Sequence, residues 1–104
     1  MKNITILGST GSIGTQALEV VRDHPTVFKV AVLSALKNSE LLIQQAKEFK
    51  PAIVVICDES KYSEVKDALF GLDIKILAGE TALSEAAAYA DSDVVLTALM
   101  GSVG

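Results

Sequence analysis

Five short runs rich in Ile, Val, Leu and Ala alternate with four stretches whose apolar residues recur at helical spacing. No other feature constrains the chain as much. The runs are NITIL (3–7), FKVAVLSA (28–35), AIVVICD (52–58), DIKILAG (73–79) and DVVLTAL (93–99). Residues 12–24 place Ile13, Ala17, Val20 and Val21 on one helical face, and Pro25 follows. Residues 39–50 align Leu42, Ala46 and Phe49 and stop before Pro51. SKYSEVKDALF (60–70) aligns Tyr62, Val65 and Leu69 ahead of Gly71, and residues 81–90 align Leu83, Ala86, Ala87 and Ala90. Strands alternating with helices make βαβ units with right-handed crossovers, which predicts an α/β fold. The expected form is a Rossmann-like doubly wound parallel sheet, a single three-layer domain over residues 1–104. AIVVICD has the continuous apolar character of a central strand buried on both faces. The first strand should lie between those starting at Phe28 and containing Val94–Thr97, with the 73–79 strand toward an edge.

Composition narrows the class. A chain of 104 residues buries roughly two-thirds of its unfolded surface. Half of its residues are apolar but only 5% are aromatic, so aliphatic side chains build the interior. The net charge of −4 comes with no block of like charges, which excludes a basic footprint for nucleic acid or a membrane surface. No run approaches the ~20 residues of a membrane span, and the first apolar run is too short for a signal-peptide core. Cys57 is the only cysteine, so no internal disulfide can form. This is a cytoplasmic kind of sequence. The chain stops in a glycine-bearing loop just past a strand, which reads as the first piece of a longer protein.

Between the first strand and the first helix stands GSTGSIG, with Gly8, Gly11 and Gly14 at every third position. In an open parallel sheet, ligands bind beyond the carboxyl ends of the strands, where the first helix points its unpaired N–H groups and positive dipole end. Gly8 would let the chain turn off the strand. Gly11 would let a pyrophosphate approach the backbone, and Gly14 would let the helix pack close to the sheet. Thr10 and Ser12 can cap the helix or donate to phosphate oxygens. The G-x-x-G-x-x-G spacing is a variant of the dinucleotide fingerprint, and its strand–turn–helix context is what gives it meaning beyond a tight turn. No Lys-Ser/Thr pair follows the glycines, which disfavours a mononucleotide P-loop.

The end of the second strand addresses the choice of cofactor. Domains that bind NAD usually place a carboxylate about twenty residues past the glycines to hold the ribose hydroxyls. Here the stretch is SALKN, residues 34–38, with no acid. Ser34 and Asn38 can hydrogen-bond an adenosine 2′-phosphate and Lys37 can supply charge, so NADPH is the expected cofactor. The competing use of Lys37 is a solvated lysine at a helix start.

GSTGSIG and the KN after strand two, with TQALEVV, EFKPAIVV and DVVLTALMGSVG, resemble the amino-terminal part of the 1-deoxy-D-xylulose-5-phosphate reductoisomerase family. The resemblance runs the whole chain in order. It implies an NADPH-binding domain followed by a catalytic domain that holds a divalent metal, magnesium or manganese, and closes over a small phosphorylated sugar. The implied reaction rearranges 1-deoxy-D-xylulose 5-phosphate and reduces the product to 2-C-methyl-D-erythritol 4-phosphate, a step of isoprenoid precursor synthesis. A homodimer formed through the later domains is implied as well. Carried over residue by residue, the cofactor contacts fall on Thr10, Gly11, Ser12, Ile13, Lys37 and Asn38, with the backbone of Leu36 beside them. The family usually has GKN where this chain has LKN. If that glycine serves a positive φ, Leu36 carries strain; if it serves close approach, the adenosine pocket is narrower. TALMGSVG also replaces the family's AIVGAAG, keeping the glycines.

Other reactive residues have plainer readings. His24, before Pro25, suits the last carbonyls of a helix. Cys57 reads as a buried small hydrophobe, and Asp58 and Glu59 as a strand end and helix start. Asp58, Glu64, Glu80 and Asp91 lack clustered ligand spacing, so neither a catalytic nor a metal residue is expected within the chain. The corresponding domain of another small-molecule reductase, or a noncatalytic NADP-sensing module, are the competing functions.

Overall fold

The computed structural model describes residues 2–88 and 93–97. The expected contributions of Ala90, Asp91, Ala98, Leu99 and residues 100–104 lie outside them. Among the described residues five strands form one wholly parallel sheet: β1 (Lys2–Leu7), β2 (Phe28–Ala35), β3 (Ile53–Ile56), β4 (Lys75–Ala78) and β5 (Val94–Thr97). The helices are α1 (Ser12–Asp23), α2 (Ser39–Phe49), α3 (Tyr62–Ala68) and α4 (Glu80–Ala87). The strand order is β4-β3-β2-β1-β5. The chain winds outward from β1 to β4, then returns to place β5 on the other side of β1. The expected neighbours of the first strand and the edge position of β4 are both observed. This is a doubly wound, Rossmann-like α/β sheet.

Two apolar layers follow from that winding. Leu18 and Val21 of α1, Leu42 and Ala46 of α2, and Val65 of α3 pack with Ile4, Ile6, Leu33, Val54 and Ile56 on one face. On the other face, Ala86 of α4 packs with Ala31, Val32 and Val55. Reversing direction along the sheet requires the crossover helix to change faces if every connection is to stay right-handed, which is why α4 lies apart from α1–α3. A bulge in β2 completes the arrangement. Ile4 pairs with Val30 and Thr5 with Val32, so Ala31 is extra and two successive side chains reach the α4 face.

Several element limits differ from expectation. The third strand is four residues rather than seven, with Cys57 and Asp58 beyond its end. The third helix opens with a 3₁₀ turn, Glu59–Lys61, because the Asp58 carboxylate accepts the Ser60 N–H at 3.0 Å and sets an earlier start. The inward face of α1 is Gly14, Leu18 and Val21, with Ala17 beside them. Ile13 and Val20, expected inside, are 49% and 52% exposed. Gly14 lies against the preceding turn, and that contact fixes the helix rotation.

Thr5 is fully buried, and its hydroxyl has no partner among the described residues. A buried unpaired hydroxyl costs free energy that a methyl of similar shape does not. Thr5→Val is therefore expected to stabilise the fold by about 1 kcal/mol, raising the thermal midpoint by about 4–8 °C for a domain of this size. Thermal denaturation followed by circular dichroism checks this, and a lower midpoint would contradict it.

Candidate functional site

β1 delivers the chain to Gly8 at the carboxyl end of the sheet, next to the point where the winding reverses between β1 and β5. Gly8 has φ +84°, the left-handed conformation that glycine adopts without strain. The next two glycines serve different ends. A Cβ on Gly14 would lie 2.3 Å from the Gly8 carbonyl oxygen and 2.6 Å from the Ser9 Cα, so the start of α1 rests directly on the turn. A Cβ on Gly11 would come no closer than 3.6 Å to the same oxygen, an ordinary contact. The fold therefore has room for a side chain at Gly11, and a glycine there leaves that room for an approaching group.

The first turn of α1 is open to an anion. Gly11 is its N-cap, no side chain caps it, and it carries no acidic residue. The expected capping by Thr10 or Ser12 is not observed. Among the described residues, the N–H groups of Thr10, Ser12 and Ile13 meet no acceptor. Thr10 is half-buried and the next three residues are exposed, so these donors face outward at the positive end of the helix dipole. Such an arrangement binds phosphate oxygens.

Behind the turn lies a buried polar cluster. The Gly8 N–H donates to the Ser34 hydroxyl at 3.0 Å, and the Ser9 N–H to the Ser34 carbonyl at 2.7 Å. Gln45 of α2 holds Ser9 at two points. Its amide nitrogen donates to the Ser9 carbonyl at 2.8 Å, and its amide oxygen accepts the Ser9 hydroxyl at 2.7 Å. This corrects the sequence-based role of Ser34, which is fully buried against the turn and does not face a 2′-phosphate. Sequence reasoning missed Gln45 and Ser9. The available signal was that Gln45 shares the inward helical phase of Leu42, Ala46 and Phe49.

The loop after β2 carries the second group of candidates. Leu36, Lys37 and Asn38 are all exposed. Lys50 is the only described non-glycine residue with positive φ, so Leu36 carries no left-handed strain and only the narrowing consequence of its side chain stands. The Asn38 side-chain Oδ1 caps α2 by accepting the Leu41 N–H at 3.2 Å, which leaves the NH2 end of its amide as the donor toward a ligand. Asp58 borders this loop, its N–H donating to the Leu36 carbonyl at 2.9 Å. The Ser60 hydroxyl and N–H hold the Asp58 carboxyl below its usual range, with lesser attraction from Lys37 and Lys61.

The remaining sequence candidates sit apart from these two groups. His24 Nδ1 lies 2.9 Å from the Val20 carbonyl, as its helix-end position implied. Cys57 is half-buried beyond the end of β3 rather than inside a strand. Burial and the Glu80 carboxylate push its thiol up, away from the reactive thiolate. No cluster of three or more potential metal ligands exists among the described residues. None of the described helices is long and apolar enough to cross a membrane.

Comparison with known proteins identifies the family. The family described as 1-deoxy-D-xylulose 5-phosphate reductoisomerase matches residues 4–104. The 1-deoxy-D-xylulose 5-phosphate reductoisomerase of Rippkaea orientalis is 50% identical over 106 residues, covering 100% of this chain and 27% of its own length. That of Bacteroides fragilis is 50% identical over 103 residues, covering 99% and 26%. The chain thus spans about a quarter of the length of these relatives. The Zymomonas mobilis enzyme, solved in complex with NADPH, superposes with a TM-score of 0.83 at 36% identity over 86% of this chain and 24% of its own. A DOX-P reductoisomerase solved with NADPH, fosmidomycin and magnesium superposes with a TM-score of 0.86 at 31% identity, covering 91% and 24%. With a match that begins in β1 and takes in the glycine turn, both sheet faces and the LKN loop, the chain belongs to the 1-deoxy-D-xylulose 5-phosphate reductoisomerase family.

Proposed function

We propose that residues 1–104 are the NADPH-binding domain of an enzyme that converts 1-deoxy-D-xylulose 5-phosphate to 2-C-methyl-D-erythritol 4-phosphate. The observation that carries this reading is the uncapped α1 turn beside the sheet's reversal point, with space kept open at Gly11. The free N–H groups of Thr10, Ser12 and Ile13 hold the pyrophosphate, with Gly11 leaving the room it needs, which seats the cofactor across the carboxyl edge of β1 and β5. Lys37 and the Asn38 amide hold the adenosine 2′-phosphate, and the Leu36 backbone and side chain border the adenosine. The bound nicotinamide supplies the hydride. This chain's share of the work is to fix where that ring lies and to select the phosphorylated cofactor.

Relatives solved in complex with NADPH and with magnesium support this assignment of cofactor and metal. The divalent metal and the phosphorylated sugar belong to the remaining length that those relatives possess. Cytoplasmic placement and a homodimer formed through that remaining length complete the proposal.

Calorimetric titration tests it. The chain is expected to bind NADPH at least about tenfold more tightly than NADH, the worth of one hydrogen bond to a charged group. Equal affinities would overturn the cofactor assignment. With 1-deoxy-D-xylulose 5-phosphate, NADPH and magnesium present, nicotinamide absorbance should stay constant. Substrate-dependent oxidation above that of a Lys37→Glu, Gly11→Val control would place the catalytic residues inside these 104 positions.

A further inference from the structure

The cluster behind the glycine turn has a consequence for the donors in front of it. Gln45 is a long amide with almost no exposure, on a helix whose other inward residues are apolar apart from Ser39. Both ends of its amide meet one residue, Ser9. The carbonyl of Ser9 and the N–H of Thr10 belong to the same peptide unit, and in a trans peptide they point in opposite directions. An amide nitrogen 2.8 Å from the Ser9 oxygen draws that oxygen into the interior. The same bond turns the Thr10 N–H outward, toward the open end of α1.

We propose that Gln45 is a positioning residue for cofactor binding: by holding the Ser9 carbonyl inward it aims the Thr10 N–H at the pyrophosphate. This rests on the NADPH reading above and adds to it a residue that touches no cofactor atom. The two arms of Gln45 then differ in purpose. The arm from its nitrogen to the Ser9 carbonyl sets the peptide plane. The arm from the Ser9 hydroxyl to its oxygen satisfies that oxygen and packs the cluster. Ser9 is further held by its N–H on the Ser34 carbonyl, so removing its hydroxyl leaves two anchors on its backbone.

Two variants and two ligands separate positioning from mere support. Adenosine 2′-monophosphate carries the 2′-phosphate but no pyrophosphate, so it reads the Lys37 region alone. Gln45→Met fills the same space without a donor. It is expected to weaken NADPH about tenfold, the loss of one hydrogen bond to a charged group, while adenosine 2′-monophosphate stays within about twofold. Ser9→Ala keeps the carbonyl arm and is expected to keep NADPH affinity within about twofold, whatever it does to thermal stability. A tenfold loss of NADPH in Ser9→Ala would overturn the proposal, and this arm does not require Gln45→Met to fold. Equal weakening of both ligands by Gln45→Met would also overturn it, leaving the cofactor reading intact. If the parent chain bound neither ligand, the cofactor reading would fall and this one with it.

Discussion

Gly14→Ala is expected to lower the thermal midpoint by more than about 10 °C, which corresponds to about 3 kcal/mol in a domain of this size. In an ordinary helix the exchange would gain about 1 kcal/mol from propensity. Here the new Cβ would sit 2.3 Å from a backbone oxygen and 2.8 Å from a backbone carbon, and neither belongs to a side chain that can rotate away. Relief requires α1 to lift from the sheet, pulling Leu18 and Val21 out of the larger apolar layer. Gly11→Ala is the matched contrast. Its Cβ would meet nothing closer than 3.6 Å, so the midpoint should hold within the few degrees that about 0.5 kcal/mol represents. NADPH affinity should nevertheless fall about tenfold or more, because the methyl occupies the space through which phosphate oxygens reach the N–H groups. Circular dichroism melting and calorimetric titration on the two variants read both effects. A Gly11→Ala chain that kept full affinity would remove the ligand-facing reason for that glycine.

Much of this was legible because it depends on pattern. Alternating apolar runs and helical spacings carry the element order, and once the first strand is taken as internal the winding must reverse and crossover handedness puts α4 on the opposite face. Two positions of the glycine turn were legible because each answers to a separate steric demand, a positive φ at Gly8 and close helix packing at Gly14. The rotation of α1 was not. Ile13, Ala17, Val20 and Val21 form as good a helical stripe as the observed Gly14, Leu18 and Val21, and only the contact of Gly14 with the turn chooses between them. Glycine has no hydropathy to signal that it is buried. The polar cluster escaped for a related reason. Ser34 and Gln45 are polar in sequence, and their burial depends on partners 25 to 36 residues away in the chain. Asp58 likewise reads as a strand end, and only the sheet brings its N–H to the Leu36 carbonyl beside Lys37.

Lys37→Glu is expected to reverse the preference between cofactors. The lysine is exposed and beside Asp58, so in the free chain its charge is partly balanced by that carboxylate, which it helps to hold below the usual range. A bound 2′-phosphate competes with Asp58 for the same ammonium. Removing the lysine deletes an interaction worth about 1.5–3 kcal/mol, a factor of about 10 to 150 in affinity. The glutamate then adds a second carboxylate beside Asp58, and both repel the phosphate. NADPH should therefore weaken by at least about thirtyfold, while NADH, which presents hydroxyls there, should change by no more than about twofold. Screening gives an independent check, since exposed charges interact over about 8 Å at physiological ionic strength and over about 3 Å at 1 M. The parent's preference for NADPH should shrink as salt rises, and the variant's response to salt should have the opposite sign, because salt then screens repulsion. Titration of both cofactors into both proteins at two salt concentrations measures all of this. If NADPH and NADH lost affinity in equal proportion, Lys37 would be acting on something the two cofactors share and not on the 2′-phosphate.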